Sequence, residues 1–106
     1  MEIAAAEFDL SYTAVKMSAR LFAPTWNAED GMWSCVFEVD DPIGLKREIF
    51  GVSSLQALVL AIKTLSAYLY GSDLYKRGEL GIHGKFGGDL SIPATRLFLE
   101  AAPYPF

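Results

Sequence analysis

The chain has 106 residues, of which 52% are hydrophobic and 21% charged, and its net charge is −4 at pH 7. This is the length of one domain, and so apolar a composition excludes a disordered chain. The net negative charge argues against a protein whose main task is to hold phosphate backbones. We therefore expect one domain over residues 1–106 and no nucleic-acid partner.

The only cysteine is Cys35, so no intrachain disulfide can form. The N-terminal residues 1–7 lack the positive charge and the apolar run of an export signal. The longest strongly apolar stretch, Gln56–Lys63, is far shorter than the roughly 20 residues that a membrane-spanning helix needs. We expect a cytoplasmic protein that does not enter a membrane.

Alternating apolar residues predict four strands before the main helix. We place these strands at residues 8–12, 16–22, 32–39 and 45–50, with turns near Thr13–Ala14, at 27–31 and at 40–44. The third is the most apolar and should be central. The fourth carries charged residues such as Lys46 and Glu48 and is typical of an edge strand or of a strand with one solvated face.

A helix is predicted over residues 53–70. Ser53 and Gln56 have the spacing of a capping box, and Gly71 is placed to end the helix. The stripe expected to face the sheet consists of Leu55, Leu58, Val59, Ile62, Leu65 and Leu69. The opposite side is also apolar, with Ala57, Leu60, Ala61 and Thr64, so either C-terminal segments or a second subunit should cover it.

Glycines recur after the helix and allow only short elements. We expect short strands at 80–82 and 90–92, a helical turn at 95–101 and an extended tail at 103–106. The predicted fold class is α+β: an antiparallel sheet of four or more strands packed against one long amphipathic helix, in the order β-β-β-β-α.

The residues offer little catalytic chemistry. One cysteine and one histidine cannot form a zinc site, and Cys35 lies on an apolar strand face. The acid pairs Glu29–Asp30 and Asp40–Asp41 fall in turns, where solvated acids are common. We predict no metal, no cofactor and no catalytic residue.

Several aromatic and apolar residues are hard to bury locally and suit an interface. This predicted interaction surface consists of Trp26, Leu60, Tyr68, Tyr104 and Phe106. The alternative is a small-ligand site or a small enzyme that uses His83 with Asp89.

The stretch Gly51–Ala61, with its G-V-x-S-L-Q-A-L pattern, resembles an uncharacterised bacterial family of about 100-residue domains of unknown function. Trp33–Phe37 before it and Gly87–Pro93 after it extend the resemblance over most of the chain. The resemblance implies a compact strand-rich domain with one principal helix and implies no activity. The element order is also similar, at the level of the fold, to HicB-type antitoxins, although no basic DNA-binding segment follows the helix.

These observations predict a non-enzymatic protein-interaction module that forms a homodimer and binds a protein partner. A toxin-immunity or antitoxin-like binding protein is the alternative from the resemblance, and a ligand-binding domain or enzyme built on His83 is the alternative from the residues.

Overall fold

The computed structural model describes residues 1–92, and the predicted helical turn at 95–101 and tail at 103–106 lie outside them. The fold is α+β, with an antiparallel seven-stranded sheet and one main helix. In chain order the elements are β1 (Glu2–Leu10), β2 (Thr13–Phe22), β3 (Thr25–Asn27), β4 (Met32–Val39), β5 (Leu45–Gly51), α1 (Ser54–Tyr70), α2 (Asp73–Lys76), β6 (Leu80–Ile82) and β7 (Lys85–Phe86).

Five strands precede α1, so the predicted β-β-β-β-α order is wrong by one strand. The missed element is β3, whose three residues are too few to show an alternating pattern. The first hairpin also turns two residues earlier than predicted, at Ser11–Tyr12, and β1 starts at Glu2 rather than at residue 8. The alanines in this part of β1 carry no period-two signal.

The strand order in the sheet is β3-β4-β2-β1-β6-β7, and β5 pairs with the other side of β4. Within residues 1–92, β5 pairs with β4 alone, which agrees with the first of the two alternatives, an edge strand. The expected strand at 90–92 is wrong: the N–H of Leu90 donates to the hydroxyl of Tyr70, at 3.0 Å, instead of to a neighbouring strand.

The described residues fall into two compact units. The first contains residues 1–7 and 17–62, and the second contains residues 8–16 together with the chain from residue 63 onward. Buried hydrophobic residues of the first unit are Met17, Ala19, Leu21, Cys35, Phe37, Val39, Ala57 and Ala61. Those of the second unit are Phe8, Leu10, Leu69, Tyr70, Leu74, Leu80 and Leu90. The alternating apolar residues of β2 and β4, Met17, Ala19, Leu21, Cys35, Phe37 and Val39, thus form the inward faces of these strands.

Helix α1 begins as predicted. The backbone N–H of Gln56 donates to Ser53 Oγ at 3.0 Å, so Ser53 caps the helix. The side-chain oxygen of Gln56 reaches back one residue beyond the cap and accepts from the N–H of Val52 at 2.6 Å. The first contact satisfies an N–H group at the start of the helix that has no partner within it, and the second binds the residue that precedes the cap.

The face of α1 that is buried differs from the predicted stripe. Ala57 and Ala61 are fully buried, whereas Leu55 and Val59 are exposed. Of the other stripe residues, Leu69 is buried, and Leu58, Ile62 and Leu65 are half-buried. The physical reason lies at Gly51, where a Cβ would come within 2.5 Å of the Ala57 nitrogen. The backbones approach this closely because both residues are small, and the branched side chains turn outward.

Candidate functional site

Three of the five residues of the predicted interaction surface lie in the described part of the chain. Trp26 is 53% exposed, and Leu60 and Tyr68 are 37% and 38% exposed. Leu60 and Tyr68 both make further interactions within the chain. Tyr104 and Phe106 lie outside the described residues.

Trp26 belongs to a cross-strand row in the first unit. The register pairs Trp26 of β3 with Trp33 of β4, and Trp33 with Gly51 of β5. The two indole rings meet edge to face, with their centroids 5.8 Å apart. Residues paired in this way point to the same side of a sheet. The exposed indole of Trp26 therefore lies on the side from which α1 approaches Gly51, about 10 Å away across two strand spacings.

The start of α1 carries a second exposed apolar group in the same unit, which we call the apolar helix face. It consists of Val52, Leu55 and Val59, which are 76%, 68% and 40% exposed. Leu55 and Val59, four residues apart, lie on one side of the helix, and Val52 lies two residues before the first residue of α1. Sequence periodicity had assigned Leu55 and Val59 to the core, so this surface was missed. The signal that points to it is Gly51, which allows close packing of the opposite side of α1.

The other side of the same strands holds a polar network. Ser34 is 1% exposed, and its hydroxyl accepts from Asn27 Nδ2 at 2.8 Å and donates to Glu48 Oε2 at 2.9 Å. The hydroxyl of Thr25 lies 3.4 Å away. These contacts connect β3 to β5 across β4, and they use the Ser34 hydroxyl both as an acceptor and as a donor to the Glu48 carboxylate. Because Ser34 is almost completely buried, its hydroxyl is not accessible to a substrate and serves to join the strands.

An ion-pair cluster lies on the same unit. Arg20 Nη2 contacts Asp40 Oδ1 at 2.5 Å, and Arg20 Nε lies 3.5 Å from Glu38, which also pairs with Lys46 at 3.4 Å. The hydrogen bond from Arg20 holds the pKa of Asp40 below its ordinary value and raises the pKa of Arg20. These four residues and Asp41 line an open groove of about 420 Å³. Its basic residues, Arg20 and Lys46, already pair with acids, so the groove does not favour the binding of an anion.

His83 lies in the second unit, in the turn between β6 and β7, where it is exposed and has a left-handed backbone with φ of 51°. The adjacent Gly84 N–H donates to Asp9 Oδ2 at 2.9 Å, and Lys16 also bonds this carboxylate. The Lys16 hydrogen bond, followed by that of Gly84, lowers the pKa of Asp9. His83 makes the smallest of the contributions that lower the pKa of Asp9.

Asp89 belongs to a different group of hydrogen bonds, which sequence reasoning missed. Its carboxylate accepts from the Tyr70 hydroxyl at 3.3 Å and from the Ser91 N–H at 2.9 Å. The hydroxyl of Tyr75 donates to the Gly88 carbonyl at 2.9 Å, and the rings of Tyr70 and Tyr75 meet edge to face. Burial raises the pKa of both tyrosines. The pair holds the chain segment around residues 87–90.

Cys35 is completely buried, and its thiol donates to the carbonyl of Phe22 at 3.1 Å. Burial raises the pKa of the thiol, which disfavours the nucleophilic thiolate. Within residues 1–92, the His, Cys, Asp and Glu side chains form no group of three that could bind a metal ion. The helices of this part of the chain include none with the length and apolar character of a membrane span.

Comparison with known proteins gives a family but no named relative. No curated protein and no solved structure matches the chain. A family described as a domain of unknown function, DUF6968, matches residues 6–94. The analogy to HicB-type antitoxins finds no support in this match. Because the match covers most of the 106 residues, the chain belongs to the DUF6968 family.

Proposed function

We propose that the chain is a non-enzymatic protein-interaction module that forms a homodimer through the apolar helix face. The observation that carries this proposal is the exposure of Leu55 and Val59 on one side of α1 and of Val52 just before the helix. Branched apolar side chains on one exposed helix face are typical of an interface, because burial of each stabilises an association by about 1.5–3 kcal/mol.

A second copy is the occupant that fits this face best. α1 contains one charged residue, Lys63, and its first turn contains no acid. A twofold interface brings the same surface of each copy together, so a face that lacks charge is complementary to itself. A partner selected by charge would find nothing to pair with there. Trp26, exposed on the side of the sheet that α1 approaches, extends the apolar surface available to the second copy.

The test is the mass of the full chain in solution. Light scattering after size exclusion should give about 23 kDa, twice the 11.6 kDa of one chain, and Leu55→Glu should reduce this to the monomer mass. The matched control is Val15→Glu, which places the same charge at a residue that is 71% exposed in the first hairpin and should leave the dimer intact.

Two results contradict the dimer. One is a mass of 11.6 kDa for the unsubstituted chain at about 100 μM, well above the concentration that a stable interface needs. The other is that the unsubstituted chain and the Leu55→Glu variant both have the monomer mass, and the variant has the lower thermal stability. That result assigns the face to an intrachain contact.

A further inference from the structure

The N-terminal part of β1 has an open edge. β1 lies between β2 and β6 in the sheet, but β6 pairs only with Asp9 and Leu10. Within residues 1–92, the stretch Glu2–Glu7 has therefore no strand partner on the side of β6. Every second residue of a strand directs its N–H and C=O to the same side, so this edge offers main-chain donors and acceptors to an added strand.

The side chains along this edge do not obstruct an added strand. Between Glu2 and Glu7 the residues are Ile3, Ala4, Ala5 and Ala6, with no proline, glycine or lysine. Ile3 is 47% exposed, and Ala4 and Ala5 are exposed as well. Natural edge strands are protected by short length, proline, bulges or charged residues.

The edge strand β5 shows the contrast. It carries the consecutive charged residues Lys46, Arg47 and Glu48, all of which are exposed. This is the usual protection against added strands. On β1 the two charged residues, Glu2 and Glu7, lie at the ends of the edge and are both negative. They leave residues 3–6 open to an added strand and favour a partner strand with positive charge.

A second copy fits this edge poorly. In a twofold antiparallel pair of this edge, directly opposite residues face the ladder in the same way, so their numbers add to an even sum and Glu2 lies opposite an alanine such as Ala6. This pairing gives neither glutamate a basic partner and brings two acidic strands together, which is unfavourable. An incoming strand with a basic residue at each end, five positions apart, forms an attractive pair at both places instead.

The charge of the first unit favours the same partner. Its residues 1–7 and 17–62 contain eight acidic and three basic residues, a net charge of −5. Arg20 and Lys46, two of the three basic residues, already pair with acids of the unit. A basic segment therefore gains attraction from the whole unit as well as from the two end glutamates.

We propose that the edge Glu2–Glu7 of β1 binds an extended basic segment of a partner protein by strand addition. In this mode main-chain hydrogen bonds supply the affinity, and Glu2 and Glu7 supply the selection for lysine or arginine. The surface is separate from the apolar helix face, so the proposal does not depend on the dimer.

The probe is the synthetic peptide acetyl-Lys-Thr-Val-Thr-Val-Lys-amide, titrated into the ¹⁵N-labelled full chain. The amide signals of residues 3–7 should shift and become protected from hydrogen exchange. The same peptide with glutamate in place of both lysines should bind at least about tenfold more weakly. A third peptide has the parent sequence with every inner amide nitrogen methylated. It keeps the side chains and the charge but cannot donate main-chain hydrogen bonds to β1, so it should not bind.

The second arm of the test changes the protein. The double variant Glu2→Lys with Glu7→Lys should bind the basic peptide about tenfold more weakly. Its matched control is Glu29→Lys with Asp30→Lys, which changes the charge of the same unit equally at exposed turn residues and should have less than a threefold effect. The proposal is overturned if the methylated peptide binds as well as the parent, if both double variants weaken binding equally, or if no signal of residues 3–7 moves.

Discussion

Gly51 lies so close to α1 that a side chain there would collide with the backbone of Ala57. A Cβ on Gly51 would lie 2.5 Å from the Ala57 nitrogen and 2.9 Å from its Cα. Both atoms are main-chain atoms, which cannot rotate away as the end of a flexible side chain can. This contact fixes which side of the first half of α1 is buried, and thereby exposes Leu55 and Val59.

The first prediction follows from this contact. Gly51→Ala should destabilise the protein by about 1–3 kcal/mol, because the helix must shift outward to accommodate the methyl group. Gly88→Ala is the matched control, since a Cβ there meets no atom within 4 Å, and it should change stability by less than about 1 kcal/mol. Urea unfolding of the full chains measures both. Equal stability of the two variants would show that the sheet and helix do not meet as closely as described.

The second prediction concerns Ser34. Ser34→Ala should cost about 1–3 kcal/mol, because Asn27 loses its acceptor and Glu48 its donor at a buried position. The half-buried Ser18→Ala in β2 is the matched control and should have a smaller effect. Chemical unfolding measures the difference. A Ser34→Ala variant as stable as the unsubstituted chain would mean that the network does not help to hold β3 and β5 on β4.

The third prediction concerns the pH dependence from Asp40. Arg20 holds the pKa of Asp40 below its ordinary value of 3.8 in the folded protein, so the folded state favours the ionised carboxylate. The stability from this group is therefore fully present above pH 3.8 and is lost as the pH falls through the folded pKa.

Carbon-detected NMR titration of the carboxyl groups tests this. Asp40 should titrate below pH 3.8, and Arg20→Gln should raise its pKa toward that value. Asp9 is the internal control, because its pKa is lowered by Lys16 and Gly84, and Arg20→Gln should leave it unchanged. A rise at both aspartates would indicate a general loss of structure and not a broken ion pair.

The fourth prediction concerns the tyrosine pair. Tyr70→Phe removes the acceptor of the Leu90 N–H and the donor to Asp89, and it should cost about 1–2 kcal/mol. The amide of Leu90 should then exchange with solvent much faster. Tyr12→Phe, at a residue that is 58% exposed, should leave that exchange rate unchanged. If Tyr70→Phe also leaves it unchanged, the hydroxyl does not hold this segment.

Part of this fold could be read from short-range patterns. The predicted bounds of the third strand, 32–39, agree with β4, and the predicted helix differs from α1 by one residue at its start. Alternation over eight residues and a capping serine are strong local signals. The three residues of β3 and the alanines of β1 carry no such signal, because a short or uniformly small stretch has no period.

The candidate surfaces were harder to predict. Trp26 was identified because an indole beside a turn is difficult to bury, and it is indeed exposed. Leu55 and Val59 of the apolar helix face were assigned to the core, since hydropathy alone ranks leucine and valine above alanine as buried residues. The open edge of β1 could not be found in the sequence at all, because it depends on how far β6 extends along β1.

The amino-acid sequence by itself determined the longer local elements: the extended segments of β2, β4 and β5, where α1 begins and ends, and which faces of β2 and β4 are apolar. These follow from interactions over a few residues, such as the Ser53 cap and the alternation along β4. Only the tertiary structure decided which side of α1 is buried, which polar groups meet at Ser34, and which edge of the sheet has no strand partner within residues 1–92. Those outcomes depend on the shape and register of segments distant in the chain, and no local pattern records them.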